Sequence, residues 1–257
     1  MQAVILAGGF GTRIAEESHL RPKPMVEIGG YPILWHIMQH FSAYGIQEFL
    51  ICCGYKGYYI KEYFSHYALH HSDVTFDFVH GTQIAILDNQ TEPWRVTLVD
   101  TGLETMTGGR LLRVAKYLKE EPFFLTYGDG VADIDLTALL AFHKKMGKKA
   151  TMTVVQPEGR FGIAQIKHGC VTTFREKAAE DHGWVNGGFF VLEPSVLAYL
   201  QDDTTVWEQT PLHQLAAEGE LAAYQHKGFW QCMDTMRDKE KLERLWKEGA
   251  PWKVWHK

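Results

Sequence analysis

The residues best suited to chemistry begin almost at the first position. An apolar run, Ala3 to Ala7, leads into Gly8, Gly9 and Gly11, with Phe10 between them and Thr12 and Arg13 directly after. Glycines let successive backbone N–H groups converge on an anion with no Cβ in the way. A hydroxyl and a guanidinium beside such a loop suit a phosphate chain. The same glycines would also serve a tight strand-to-helix turn without a ligand. Further on, Lys23 stands between Pro22 and Pro24, whose rings restrict the backbone around the ammonium. Two cations beside one glycine loop fit a triphosphate better than a single phosphate. Ala15 to Leu20 joins them as a flexible polar stretch able to close over a ligand. In FFLTYGDG, Asp129 lies just past an apolar run, between Gly128 and Gly130. A carboxylate so placed can hold Mg²⁺, although Asp-Gly is also an ordinary turn.

Other phosphate- and metal-binding patterns are missing. Gly8, Gly9 and Gly11 read G-G-x-G, which is neither G-x-G-x-x-G nor G-x-x-x-x-G-K-[ST]. His36/His40 and His66/His70 have helical i, i+4 spacing, with His71 adjoining, but no H-E-x-x-H occurs, so surface or interface positions are expected for them. Cys52, Cys53, Cys170 and Cys232 show no C-x-x-C spacing and are expected as reduced thiols, the adjacent pair pointing to opposite faces of a strand. The net charge of −5 and the lack of a long basic run argue against a nucleic-acid partner. No leader-like or bilayer-length apolar segment appears, so a cytoplasmic location and no membrane partner are expected.

Elements must position these residues. Ala3–Leu6, Glu48–Cys53, Thr75–Val79, Arg95–Val99 and Phe123–Tyr127 read as strands. Ile33–Tyr44, Tyr58–Tyr67, Gly109–Lys119 and Leu136–Met146 read as helices, with Leu112, Ala115 and Leu118 near one face of the third. This alternation implies an α/β fold with a mostly parallel sheet flanked by helices. Beyond it, Thr151–Val155, Gly162–Lys167, Val171–Arg175 and Gly188–Leu192 read as strands with little helix between them. They suggest a smaller β-rich extension on the far side of a cleft. Helices return at Pro194–Leu200, Pro211–Glu218 and Lys239–Lys247, and Asp133 and Asp135 read as caps for the helix at Leu136.

LAGGFGTR followed by RPKPM resembles the signature of the sugar-1-phosphate nucleotidyltransferases. RPKPMVEIGGYPILWHIM, YGDGVAD, VNGGFFV and FWQCMDTMRD extend the resemblance to the cytidylyl branch, from Met1 to about Leu245. The resemblance implies a Rossmann-like mixed sheet with a β-rich sugar-binding extension. It implies one unit over 1–257, with a nucleotide-binding half, 1–133, and a sugar-binding half with C-terminal helices, 134–257. The implied reaction is CTP plus α-D-glucose 1-phosphate giving CDP-glucose and pyrophosphate, with Mg²⁺ held by Asp129 and Asp234, though Asp234 could also cap the last helix. The loop Leu6, Ala7, Gly8, Gly9, Phe10, Gly11 and Thr12, together with Gly128, would contact substrate. Arg13 would hold the leaving phosphates, and Lys23 would sit at the α-phosphorus. By position in the family, DTGLETMTGGR forms the base pocket, with Glu104 accepting from the cytosine amine or standing as a solvated loop residue, and the Gly109 backbone near the ring. Arg110 would reach a phosphate or simply open the following helix. Glu176 would take the ring hydroxyls of glucose and Lys177 its phosphate, and Asn186 would also contact the sugar, with Gly187 and Gly188 giving room. The family's Pro after EK is Ala178 here, a departure within the sugar loop. Homo-oligomers, trimers or hexamers, are also implied, and the Trp-rich tail (Trp246, Trp252, Trp255) suits a subunit contact. Another nucleotide or phosphorylated alcohol, or a non-catalytic nucleotide-sugar sensor, are the competing readings.

Overall fold

The computed structural model describes residues 1–14, 19–156, 163–167, 170–175 and 183–255, with the backbone alone for Arg13 and for the segments 163–167 and 170–175. In chain order the elements are β1 (Gln2–Leu6), β2 (Glu27–Ile28), β3 (Tyr31–Pro32), α1 (Ile33–Ala43), β4 (Glu48–Cys53), α2 (Gly57–Ser65), α3 (Tyr67–His70), β5 (Ser72–Asp77), β6 (Gln83–Asn89), β7 (Arg95–Asp100) and α4 (Thr107–Val114). They continue with β8 (Phe123–Tyr127), β9 (Gly130–Ala132), α5 (Leu136–Met146), β10 (Ala150–Val155), β11 (Ile163–Lys167), β12 (Cys170–Arg175), β13 (Val185–Leu192), α6 (Thr210–Ala217), β14 (Leu221–Gln225), β15 (Trp230–Cys232) and α7 (Met236–Lys247).

Every residue of β1 is buried, because helices cover both faces of the sheet it belongs to. The seven-stranded order is β14-β10-β13-β8-β1-β4-β7. Only β13 in that sheet runs antiparallel to its neighbours. The register aligns Leu6 with Cys52 on one side and with Tyr127 on the other. The chain therefore leaves β1, β4 and β8 at one edge, where α/β sheets gather ligands. The β-rich extension takes the form of the β11–β12 ladder, paired from Ile163↔Arg175 to Lys167↔Cys170.

Strand alternation divides the core. Ala3, Ile5, Phe49, Ile51, Cys53 and Phe124 pack under α1 and α7. Val4, Leu6, Leu50, Cys52 and Leu125 pack with Leu111, Val114 and Trp207 on the other face. Cys52 and Cys53 thus point to opposite faces, as expected, and with Cys232 they are free thiols. No helix among the described residues is long and apolar enough to cross a membrane.

Several expectations are corrected. His36 and His40 are core residues, because α1 is buried continuously from Ile33 to Phe41. His40 Nε2 donates to Ile134 O (2.7 Å). His36 Nε2 donates to Ile28 O (2.8 Å) while its Nδ1 accepts from Trp252 Nε1 (3.4 Å), which sets the tautomer. Trp252 and Trp255 are buried in this same cluster and Trp246 packs on Trp252, so the tail's tryptophans serve the chain's own core. The helix expected over Tyr58–Tyr67 breaks at His66, where the Ser65 hydroxyl bonds back to Glu62 O (2.8 Å). In α4 the fully buried apolar side chains are Leu111 and Val114, while Leu112 and Leu118 pack partly buried against the same core. Asp135 does cap α5, accepting from Ala138 N (2.9 Å), whereas Asp133 faces His226 instead (3.0 Å). Finally, β6 was not anticipated; it pairs with β5 in an exposed hairpin.

Candidate active site

The three loop glycines answer to three different constraints. A Cβ on Gly8 would lie 2.2 Å from Nη1 of Arg110, so Gly8 makes room for a buried guanidinium. Gly11 has φ +65°, the left-handed region that favours glycine. A Cβ on Gly9 would meet nothing within 4 Å. Neither packing nor backbone strain demands glycine there, and the open space faces the cleft that Gly9 lines. The loop is tied at its base by Ala7 N to Cys52 O (3.1 Å), Tyr55 N to Gly8 O (3.0 Å) and Gly128 N to Leu6 O (3.0 Å). Leu6 to Thr12 line one side of a cleft of about 410 Å³.

Lys23, Asp129 and Asp234 close the floor of that cleft. Lys23 sits in a short 3-10 turn, Lys23–Met25, entered from Pro22 and anchored by buried Pro24. Asp129 follows β8, and Asp234 follows β15. The antiparallel pairing of β9 with β15, Gly130↔Cys232, and Met233 N to Asp129 O (2.8 Å) bring the two carboxylates together. Lys23 Nζ lies 2.6 Å from Asp129 Oδ2 and 2.6 Å from Asp234 Oδ1. Burial alone would lower the Lys23 pKa, but the charge and hydrogen bonds of the two aspartates outweigh it and hold the ammonium above its ordinary value. Asp234 does not cap the last helix. Thr235 does, in a reciprocal capping box with Asp238, which also accepts from Asp234 N (3.1 Å). The Asp234 carboxylate is thereby left to the cleft.

The segment 101–107 forms the opposite wall. Arg110, buried beneath Gly8, donates to Thr101 Oγ1 (2.7 Å), Gly102 O (2.7 Å) and Leu103 O (3.1 Å). It braces the loop from below. Glu104 is exposed and lines the cleft. Gly109 packs away from it: a Cβ there would lie 2.6 Å from the Asp203 backbone, so its glycine serves helix packing. Gly128 lines the cleft, with Leu6 O and Pro24 Cγ each 3.0 Å from where its Cβ would stand.

On the sugar side, Asn186 enters β13 and donates to Tyr127 Oη (3.2 Å), and Tyr127 lines the cleft. The backbone of Arg13 belongs to the turn Thr12–Ile14. The Arg13 side chain, most of the stretch Ala15 to Leu20 (15–18), Glu176, Lys177 and Ala178 lie outside the described residues. Sequence reasoning missed Tyr127, Thr107 and Glu208, which are hydrogen-bonded together beside the cleft. Local pattern offers no signal for Glu208, whose partners lie 81 and 101 residues away.

The nucleotidyl transferase family matches residues 2–238. The glucose-1-phosphate cytidylyltransferase of Salmonella typhimurium is 59% identical, covering 99% of this chain and 100% of its own. The probable glucose-1-phosphate cytidylyltransferase of Bacillus subtilis is 45% identical over the same shares. HddC from Yersinia pseudotuberculosis shares the fold at a TM-score of 0.70 and 23% identity, over 95% of this chain and 99% of that one. UDP-glucose pyrophosphorylase complexed with UDP-glucose does so at 0.69 and 15%, over 96% and 98%. With a glycine loop, a lysine and paired carboxylates meeting at the carboxyl edge of a mostly parallel sheet, and with relatives this similar over their full length, the chain belongs to the nucleotidyl transferase family, in the branch of the glucose-1-phosphate cytidylyltransferases.

Proposed function

We propose that the cleft binds CTP and α-D-glucose 1-phosphate and joins them as CDP-glucose, releasing pyrophosphate. The observation that carries this reading is the convergence of Lys23, Asp129 and Asp234 at the foot of the glycine loop. A phosphate oxygen of the sugar attacks the α-phosphorus of CTP, and the bond to the β-phosphate oxygen breaks. The attacking phosphate has a second pKa near 6, so it is largely dianionic at pH 7 and needs no general base. The obstacle is repulsion between two anions. Lys23 supplies a fixed positive charge where charge builds at the α-phosphorus, and Arg13 would hold the departing β- and γ-phosphates. The loop from Leu6 to Thr12 cradles the triphosphate, and open space at Gly9 lets it approach the backbone.

The donor set suits Mg²⁺. Asp129 and Asp234 offer hard carboxylate oxygens close enough to share one cation, and among the described residues no group of three or more His, Cys, Asp or Glu is placed to hold a metal. When bound there, Mg²⁺ would screen the phosphate charges. Glu104 is the acceptor offered to the cytosine amine, and Asn186, Glu176 and Lys177 are assigned to the sugar phosphate. The chain is read as one cytoplasmic unit, 1–257, with nucleotide and sugar halves, 1–133 and 134–257. We also infer self-association through the β5–β6 hairpin, whose Phe76, Phe78, Val79, Ile84, Ile86 and Leu87 are exposed.

The test is pyrophosphate release with Mg²⁺, each of CTP, UTP, dTTP and GTP, and a panel of sugar 1-phosphates. CTP with α-D-glucose 1-phosphate is expected to be the best pair. Another preferred pair would reassign the substrates. Nucleotide-sugar binding with no turnover of any pair would make the protein a sensor.

A further inference from the structure

Glu208 lies just beyond the cleft wall and ends a chain of hydrogen bonds that runs in from both of its sides. From the sugar side, Gly188 N donates to Asn186 Oδ1 (2.8 Å), Asn186 Nδ2 donates to Tyr127 Oη (3.2 Å), and the Tyr127 hydroxyl donates to Glu208 Oε1. From the nucleotide side, Trp207 N donates to Thr107 Oγ1 (2.9 Å), and the Thr107 hydroxyl donates to Glu208 Oε2 (2.6 Å). The direction of every bond follows from its ends. A backbone N–H can only donate and an ionised carboxylate can only accept, so both hydroxyl protons and the Asn186 amide are left one orientation each.

We propose that Glu208 is a positioning residue that holds the Asn186 amide in the orientation that receives the sugar phosphate, acting through Tyr127. The proposal rests on the assignment of Asn186 to the sugar. With Nδ2 committed to Tyr127 and Oδ1 committed to Gly188, Asn186 keeps one N–H and one lone pair for a ligand, in a fixed arrangement. Tyr127 is held from its other face as well: a Cβ on Gly188 would lie 2.6 Å from its ring. A glutamine at 208 has nearly the same shape but accepts at one end only. Its amide NH₂ would meet the Thr107 or the Tyr127 hydroxyl, whose own proton would lose its carboxylate acceptor and have to turn elsewhere. Facing Tyr127, it would turn the phenol proton back onto Asn186, and the amide could satisfy that only by inverting and giving up Gly188.

The experiment measures KM for each substrate, kcat and melting temperature for the wild type, Glu208→Gln, Tyr127→Phe, the double variant and Asn186→Ala. Glu208→Gln is expected to raise KM for α-D-glucose 1-phosphate about tenfold, with KM for CTP within about twofold and the melting temperature little changed. Tyr127→Phe removes the connecting hydroxyl and should reproduce that rise. In its background Glu208→Gln should add nothing. Equal effects on both substrates, additive effects in the double variant, or an unchanged sugar KM in Glu208→Gln would overturn the proposal while Asn186→Ala still raises that KM. An Asn186→Ala enzyme with unchanged KM would remove the sugar assignment itself, and the proposal with it.

Discussion

Burial works against the Lys23 ammonium, but two carboxylates hold its pKa above the ordinary value. The same carboxylates are the proposed metal ligands, and each is needed. Asp129→Ala or Asp234→Ala should lower kcat by at least about two orders of magnitude, since a bound Mg²⁺ would lose half of its protein ligands. Thermal unfolding should barely change, because Lys23 keeps the other partner in either variant. Near-normal turnover in either would remove the metal assignment. Glu104 carries a finer claim. Uracil offers a carbonyl where cytosine offers an amine, so the Glu104 carboxylate would face UTP acceptor to acceptor. Glu104 is exposed in the open cleft; once a bound nucleotide covers it, an unpaired acceptor costs roughly 1–3 kcal/mol, or about ten- to a hundredfold in discrimination. Glu104→Gln can turn its NH₂ to uracil, and the ratio of kcat/KM for CTP over UTP should fall. An unchanged ratio would leave base selection to the backbone of the 101–107 loop.

At the scale of elements, the glycine loop separates stability from binding within two adjacent positions. Gly8→Ala should destabilise by about 1–3 kcal/mol, because its Cβ meets a guanidinium that four hydrogen bonds hold in place. Gly9→Ala should leave stability within about 0.5 kcal/mol, since its Cβ enters open space. It should nevertheless raise KM for CTP about tenfold, which nucleotide titrations and urea melts would separate. The reverse pattern would mean that Gly9 is structural and Gly8 faces the ligand. Much of this scale was legible in the sequence. Glu48–Cys53, Phe123–Tyr127 and Leu136–Met146 were read at their observed bounds, because buried strands appear as unbroken apolar runs and α5 has a capping aspartate and a glycine stop. The strand β6 was not legible, since every residue in it is exposed and no burial alternation marks it. The loop, Lys23 and Asp129 stood out by residue type and spacing, whereas Asp234 was legible only through the family resemblance. Glu208 did not stand out, because its contacts exist only after distant segments meet; Arg110, read as a phosphate contact or a helix opener, instead braces the adjoining loop beneath Gly8.

For the whole molecule, two buried histidines set an acid limit. Burial lowers the pKa of both His36 and His40 from 6.5 to about 4. Between those values the unfolded chain binds the protons and the folded chain does not, so stability rises with pH through that window. It is complete above about pH 7 and is lost as pH falls below 6.5. At pH 5 the loss should be on the order of 2 kcal/mol per histidine relative to pH 7.5, read from urea melts at both values. His40→Gln keeps a donor for Ile134 O and should remove its share of the slope; an unchanged slope would place the effect elsewhere. The proposed self-association runs through the exposed hairpin. Light scattering at micromolar concentration should give a trimer or hexamer, and Phe78→Asp with Leu87→Asp should reduce that mass, whereas a monomeric wild type would refute the inference. The ladder that pairs β9 with β15 also fixes when the enzyme is born. Lys23 and Asp234 are 211 residues apart, roughly 10–40 s of synthesis at 5–20 residues per second. A nascent chain can lay down β1, β4 and β8 and shape the glycine loop well before Asp234 has been translated. Its proposed catalytic floor is complete only when one of the last strands docks, so a ribosome-bound fragment lacking Trp230–Cys232 is expected to hold the frame of the nucleotide site and to leave CTP unturned.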